Sequence, residues 1–266
     1  MSYKTILCYA HSADGAARQM PLTMEMAGRF GAHVVGLHLQ PDLGPANAAD
    51  VGAQADAARA AFEAEVAKGA DVSQEWRSVR ARQSDVTDEL VEHARACDLT
   101  VISKADGRRG FRLTTDLMGE LILGSGRPVV VVPTTGRHER IGGTVLLAWN
   151  GSRESTRAAF DALPILKGAQ HVRLFGVRGA STDEEVLPAA DIASALSRHG
   201  VKVEVDDVGS AAGERIGSVL LNHASDVGAD LIVMGGYGRS RLREFVFGGA
   251  SRDILGTMTV PVLLSH

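Results

Sequence analysis

Short, unbroken apolar runs recur along the chain, with mixed polar and apolar stretches between them. "TVLLAW", "DLIVM" and "PVVVV" are examples, and none alternates polar with apolar. A strand with one wet face alternates; a strand covered on both faces reads as a continuous run. The runs predict strands at about 3–10, 33–39, 74–80, 98–103 and 128–132, then at about 143–149, 171–177, 201–206, 230–234 and 260–264. Amphipathic helical stretches lie between them. Short buried strands joined by crossover helices make a parallel sheet in a three-layer α/β sandwich. The alanine-rich stretch 47–67, "NAADVGAQADAARAAFEAEVA", predicts a long surface helix.

The pattern occurs twice. "YKTILCYAHSADGAARQMPLTMEMAGRFGAHVVGLHL" and "GTVLLAWNGSRESTRAAFDALPILKGAQHVRLFGV" share the order strand, polar turn, helix, Gly-Ala turn, strand. "HARACDLTVISKADG" matches "HASDVGADLIVMGGYG", and "RPVVVVP" matches "VPVLLSH". A spacing of roughly 130–140 residues marks a duplicated domain of ordinary size. "PTTGRHERIGG" at 133–143 is polar, glycine-bearing and opened by proline, so it reads as a linker. The expected domains are 1–133 and 143–266. The fold class is α/β: two tandem three-layer domains, each with a five-stranded parallel sheet of Rossmann-like type.

Composition narrows the function. A formal net charge of −4 opposes nucleic-acid binding through a bulk positive field. Cys8 and Cys97 sit in or beside apolar runs and form no CxxC pair, which fits buried thiols in a reducing compartment. No apolar stretch has the ~20 residues of a membrane span, and the N-terminus lacks the pattern of a signal peptide. A cytoplasmic chain without nucleic-acid or membrane partners is expected. No HExxH, GxSxG or metal-spaced Cys/His set is present, so no catalytic constellation stands out. His33, His38 and His171 belong to strands, and the acidic run 181–186 reads as a solvated loop or helix start.

The stretch "MGGYGRSRLREFVFGGAS" at 234–251 carries five glycines and three arginines directly after a buried run. In open parallel sheets ligands bind outside the carboxyl ends of the strands. Glycines there let a phosphate approach backbone N–H groups, and "GGAS" opens a helix whose N-terminus favours an anion. No Gly-Lys-Ser/Thr follows, so this is not a P-loop, and G-x-G-x-x-G is absent. Glycines that merely build tight turns and close helix–strand packing are the competing explanation.

The spacing Gly235-x2-Gly238-x9-Gly248 resembles the nucleotide-binding signature of the universal stress protein family, G-x2-G-x9-G-(S/T). "ADLIVMG" before it, "TVPVLL" after it and "VLLAWNGSRES" at the start of the half agree. The resemblance covers essentially the whole chain as a tandem pair. It implies the adenine nucleotide alpha hydrolase-like fold and a site for ATP or another adenine nucleotide, with Mg as a companion ion. It assigns the base and ribose side to Asn150 and Val177, and the first glycine loop to Met234, Gly235, Gly236, Tyr237 and Gly238. The phosphate loop falls on Gly248, Gly249, Ala250 and Ser251. Arg239 is a candidate phosphate neutraliser, whereas Arg241 and Arg243 fit a solvated turn. Two departures stand out. Asn150 replaces the family's acid, and Gly249 replaces the hydroxyl residue, with Ser251 two positions on.

In the first half Gly107-x2-Gly110 is present, but Glu120 stands at the third-glycine spacing, and His11 stands where Asn150 stands in the second. That half is expected to be a degenerate partner. The resemblance implies a sensor or regulator acting through unidentified protein partners. It also implies a pseudo-dimer of the two domains through their closing strands, which leaves homodimer formation open. Two other functions compete. One is a nucleotide-free interaction protein with a lost site; the other is a weak ATPase with slow hydrolysis.

Overall fold

The computed structural model describes residues 2–68, 71–104, 115–178, 189–206, 209–210, 215–238 and 249–266. Contacts divide the chain into two units, 2–140 and 141–266.

In the N-terminal unit the elements are β1 (Thr5–Tyr9), α1 (Ala13–Phe30), β2 (His33–Asp42), α2 (Ala48–Val66), β3 (Gln74–Arg82), α3 (Val86–Arg95), β4 (Leu99–Ser103), α4 (Thr115–Ser125) and β5 (Val129–Val132). Their strands form a parallel sheet in the order β3-β2-β1-β4-β5. The C-terminal unit runs β6 (Thr144–Trp149), α5 (Arg153–Asp161), α6 (Leu163–Leu166), β7 (His171–Arg178), α7 (Ala189–Arg198), β8 (Val203–Val205), β9 (Gly209–Ser210), α8 (Ile216–Asp226), β10 (Leu231–Gly235), α9 (Gly249–Thr257) and β11 (Val262–Ser265). Its order is β8-β7-β6-β10-β11, again parallel, with the two-residue β9 added at the end of β7. The predicted α/β class and all ten predicted strands are present; α6 and β9 were not foreseen. Among the described residues no helix is long and apolar enough to cross a membrane.

Burial explains the unbroken apolar runs. β4, β5 and β11 are buried at every residue, and β1, β6 and β10 at all but one. Such strands need a helix on each face. α2 covers its sheet with Ala55, Ala58 and Phe62 and leaves most of its other residues exposed. Phe62 meets Trp76 of β3 at 5.2 Å between ring centroids. Gly36 makes room for both: a Cβ there would lie 2.6 Å from the Phe62 ring and 2.7 Å from Trp76.

The residues that lead into β1 and β6 carry backbone N–H groups that need acceptors. Asp98 accepts from the N–H groups of Lys4 and Thr5 at 2.7 and 3.0 Å. Asp230 accepts from Gly142 and Gly143 at 2.8 and 2.7 Å. Each aspartate also donates its own N–H to the carbonyl of a first-strand threonine, Thr5 or Thr144, at 2.9 Å. The repeated "DL" of the two halves is thus one clamp used twice.

In the C-terminal unit a second charged knot ties the sheet edge to α8. Asp206 accepts from Arg173, with Nε at 3.2 Å, and from Nε2 of His223 at 2.7 Å. His223 stacks on Phe175 at 4.0 Å. Burial alone would raise the Asp206 pKa, but the bonds from Arg173 and His223 outweigh it and hold the carboxyl below its ordinary value.

Two outcomes are expected. Asp230→Ala removes two charge-assisted bonds and leaves two N–H groups unpaired, so it should lower unfolding free energy by about 2–3 kcal/mol in urea titrations. Asp206 has a depressed folded pKa, so its contribution is fully present above the ordinary value of 3.8 and is lost as pH falls through the lower folded value. The urea midpoints of wild type and Asp206→Asn should therefore converge below that pH; a constant gap would overturn the assignment.

Candidate functional site

The strand order reverses direction in the C-terminal unit between β6 and β10, where a crevice opens at the carboxyl ends of a parallel sheet. A cleft of about 270 Å³ lies there. Its walls come from the ends of β6 and β10, the first turns of α5 and α9, and Ile216 and Leu220 of α8.

The β6 end supplies Ala148, Trp149 and Asn150. Asn150 is exposed, and its Oδ1 accepts from the Ser152 N–H at 3.1 Å. Gly151 between them has φ of 73°, a left-handed turn that favours glycine. Ser152 caps α5, with its Oγ accepting from the Ser155 N–H at 3.1 Å. The cap brings Glu154 in the first turn to the cleft, where that residue is only 9% exposed. Arg153 Nε lies 3.7 Å from its carboxylate.

Met234 and Gly235 end β10. Gly236 donates to the Ser265 carbonyl at 2.8 Å and accepts from Nδ1 of His266 at 3.0 Å. The other His266 nitrogen accepts from Arg153 at 3.0 Å. The chain then turns through Tyr237, buried and at φ of 56°, a region that a residue with a Cβ enters at a cost. The Tyr237 N–H donates to Oγ of buried Ser251 at 3.1 Å. Ser251 therefore joins the turn after β10 to the start of α9.

The glycines have different physical reasons. At Gly235 a Cβ would lie 2.6 Å from the backbone of Glu154 and Ser155, so this glycine serves the contact between α5 and β10. At Gly238 the nearest neighbour of a Cβ would be the flexible Glu154 side chain, with its carboxylate at 3.1 Å. At Gly249 it would meet nothing within 4 Å. Gly238, Gly249, Ala250 and Ser251 all line the cleft together with Asn150, Met234 and Gly235. Val177 is the second-last residue of β7, in register with Gly209. Gly248, Arg239, Arg241, Arg243, the acidic run 181–186, and Gly107 and Gly110 lie outside the described residues.

Sequence reasoning missed Glu154, Trp149, Ile216 and Leu220. The i,i+4 apolar pair of α8 and the Ser-x-Glu after a strand-end turn were visible, but nothing in the sequence says which way they face. In the N-terminal unit the His11 ring lies against Gly15: a Cβ on Gly15 would sit 2.5 Å from it and 2.9 Å from Oγ of Ser103. Glu120 lies exposed on α4. Among the described residues no group of three or more His, Cys, Asp or Glu is placed to hold a metal.

Gly235→Ala should lower stability by about 1–3 kcal/mol, because backbone rather than a flexible tip must move aside. Gly249→Ala should stay within ~0.5 kcal/mol of wild type. Equal urea midpoints for the two variants would remove the argument from the α5–β10 contact.

The universal stress protein family pattern matches residues 143–266. A universal stress protein from Archaeoglobus fulgidus superposes over 98% of this chain and 95% of its own, with a TM-score of 0.73 and 13% identity. A functionally unknown protein from Pseudomonas aeruginosa PAO1 covers 99% of this chain and 92% of its own, at a TM-score of 0.60 and 16% identity. Comparison with curated proteins gives no match. Residues 143–266 carry the sequence pattern of the universal stress protein family, and the chain over its full length is similar in fold to a universal stress protein.

Proposed function

We propose that the C-terminal unit binds an adenine nucleotide, ATP or a close relative, and acts as a nucleotide-responsive regulator. The observation that carries this is the composition of the cleft at the β6–β10 crevice. Apolar side chains of Ala148, Met234, Ile216 and Leu220 share it with a glycine turn and the N-terminal turn of α9. An apolar wall suits a base, and the free N–H groups and positive end of a helix suit phosphate.

In this reading Asn150 and Val177 border the base and ribose. Met234, Gly235, Gly236, Tyr237 and Gly238 form one loop; Gly248, Gly249, Ala250 and Ser251 form the other, with Arg239 near the phosphates. Asn150 supports a neutral contact, since its amide keeps a donor after Oδ1 accepts from Ser152. The Glu154 carboxylate beside Gly238 would repel bare phosphate. A divalent cation such as Mg²⁺ removes that conflict by taking oxygens from both, so Glu154 is the described residue best placed to hold it.

The same carboxylate favours a second reading, a nucleotide-free interaction protein. It adds negative charge where the glycines alone would invite an anion. Slow hydrolysis, the third reading, has no observation of its own in this cleft.

Calorimetric titration of ATP with and without Mg²⁺ separates these. One ATP per chain should bind with Mg²⁺ and about tenfold more weakly in chelator. Glu154→Gln should abolish the Mg²⁺ dependence, and Gly238→Leu should abolish binding while leaving the melting curve folded and cooperative. No heat at millimolar ATP under either condition would establish the interaction-only reading. Phosphate release that Glu154→Gln removes would establish the ATPase.

A further inference from the structure

A second cleft, of about 310 Å³, lies in the N-terminal unit at the carboxyl ends of β1, β2 and β3 and beside α2. It uses none of the glycine-rich turns. Its apolar surface comes from Tyr9, Leu39, Pro41 and Val51, with half-exposed Leu43 beside them. The polar groups are two histidines, His11 and His38, the amides of Asn47, Gln54 and Gln83, and one carboxylate, Asp50.

His38 decides the chemistry. The residue is 3% exposed, and its ring lies nearly parallel to Trp76, 14° apart. Nδ1 donates to the Ala10 carbonyl at 2.6 Å. That bond consumes the N–H of a neutral imidazole and leaves Nε2 as a bare lone pair. Burial pushes the His38 pKa down more than the Ala10 bond raises it, so the ring stays neutral near pH 7. Among the described residues no group bonds Nε2, so the cleft presents an acceptor without a donor on a ring held in place by the Ala10 bond.

The charge points the same way. Among the described residues neither lysine nor arginine lines the cleft. Arg80 and Arg82 line the neighbouring cleft beyond Pro41 and Leu43. Asp50, in the first turn of α2, is exposed and has no ion-pair partner among the described residues. A cleft with one carboxylate, a bare imidazole acceptor and an apolar wall disfavours phosphate and favours a cationic donor.

We propose that this cleft is a binding site for a small protonated amine with an apolar body, its N–H groups donating to Nε2 of His38 in the field of Asp50. The site stands apart from the nucleotide reading and does not depend on it.

Three probes with one phenyl body test it on the full chain: phenethylamine, 3-phenylpropanol and 3-phenylpropionate. Calorimetry should show the amine binding about fivefold more tightly than the alcohol, and the carboxylate should give no heat. Asp50→Asn, an exposed change that leaves the fold alone, should erase the preference of amine over alcohol. With ¹⁵N-labelled histidine, the His38 Nε2 resonance should shift on adding amine, with or without saturating ATP, and equally in Gly238→Leu. The proposal is overturned if no probe binds, if the three bind alike, if Asp50→Asn keeps the amine preference, or if the His38 resonance stays put. It is also overturned if ATP displaces the amine.

Discussion

The closest helix–strand approach in each unit fixes where a cleft can open. The first turn of the leading helix must come down onto the carboxyl end of the fourth strand, and there is room for only one side chain. In the N-terminal unit the glycine is on the helix, Gly15, and the serine on the strand, Ser103. In the C-terminal unit the arrangement is exchanged: Ser155 is on the helix and Gly235 on the strand. Gly15 and Ser155 are equivalent, because each donates its N–H to the hydroxyl of the capping serine, Ser12 or Ser152. Either solution satisfies the same steric limit, since a Cβ at the glycine would fall under 3 Å from its neighbours in both.

The choice has a chemical consequence. With glycine on the strand, the fully backbone end of β10 is overlaid by α5, and Glu154 comes to Gly238. With glycine on the helix, the space above it is taken by the His11 ring. Duplication therefore kept the scaffold, down to the matching clamps of Asp98 and Asp230, while the strand-end residues diverged. Strand ends and first turns contribute little to the sheet's buried faces, so they can change without disturbing what holds it together.

Much of the fold was legible because burial on both faces writes itself into sequence as unbroken apolar runs. The ten main strands follow from that alone. α6 is a single turn that continues α5 past Pro164, too short to have a period, and β9 is two residues long. The cleft was legible in part. Glycine spacing singled out Gly235, Gly238 and Gly248; the first serves a backbone contact with α5, the second lies beside the Glu154 carboxylate, and the third is outside the described residues. Glu154 was invisible because a glutamate in a first turn ordinarily reads as a helix-dipole charge facing water. Ser251 reads as a phosphate hydroxyl by position; its Oγ also accepts from the Tyr237 N–H, which leaves its O–H as a donor. The importance of His38 depended on a partner 28 residues away, Ala10, that only the sheet brings near.

Electrostatics then separates the two units more sharply than topology does. Both clefts lie at strand carboxyl ends, where a parallel sheet offers loops rather than side-chain-filled core. The C-terminal cleft sets helix N–H groups and a glycine turn against one carboxylate, so its sign depends on whether a cation joins Glu154. The N-terminal cleft sets a neutral, lone-pair-bearing imidazole and a carboxylate against no cation among the described residues. A phosphate that suits the first is repelled by the second, and an ammonium that suits the second gains nothing from the helix end of the first. Two copies of one fold can in this way present clefts of different electrostatic character, with no change in the strands that carry them.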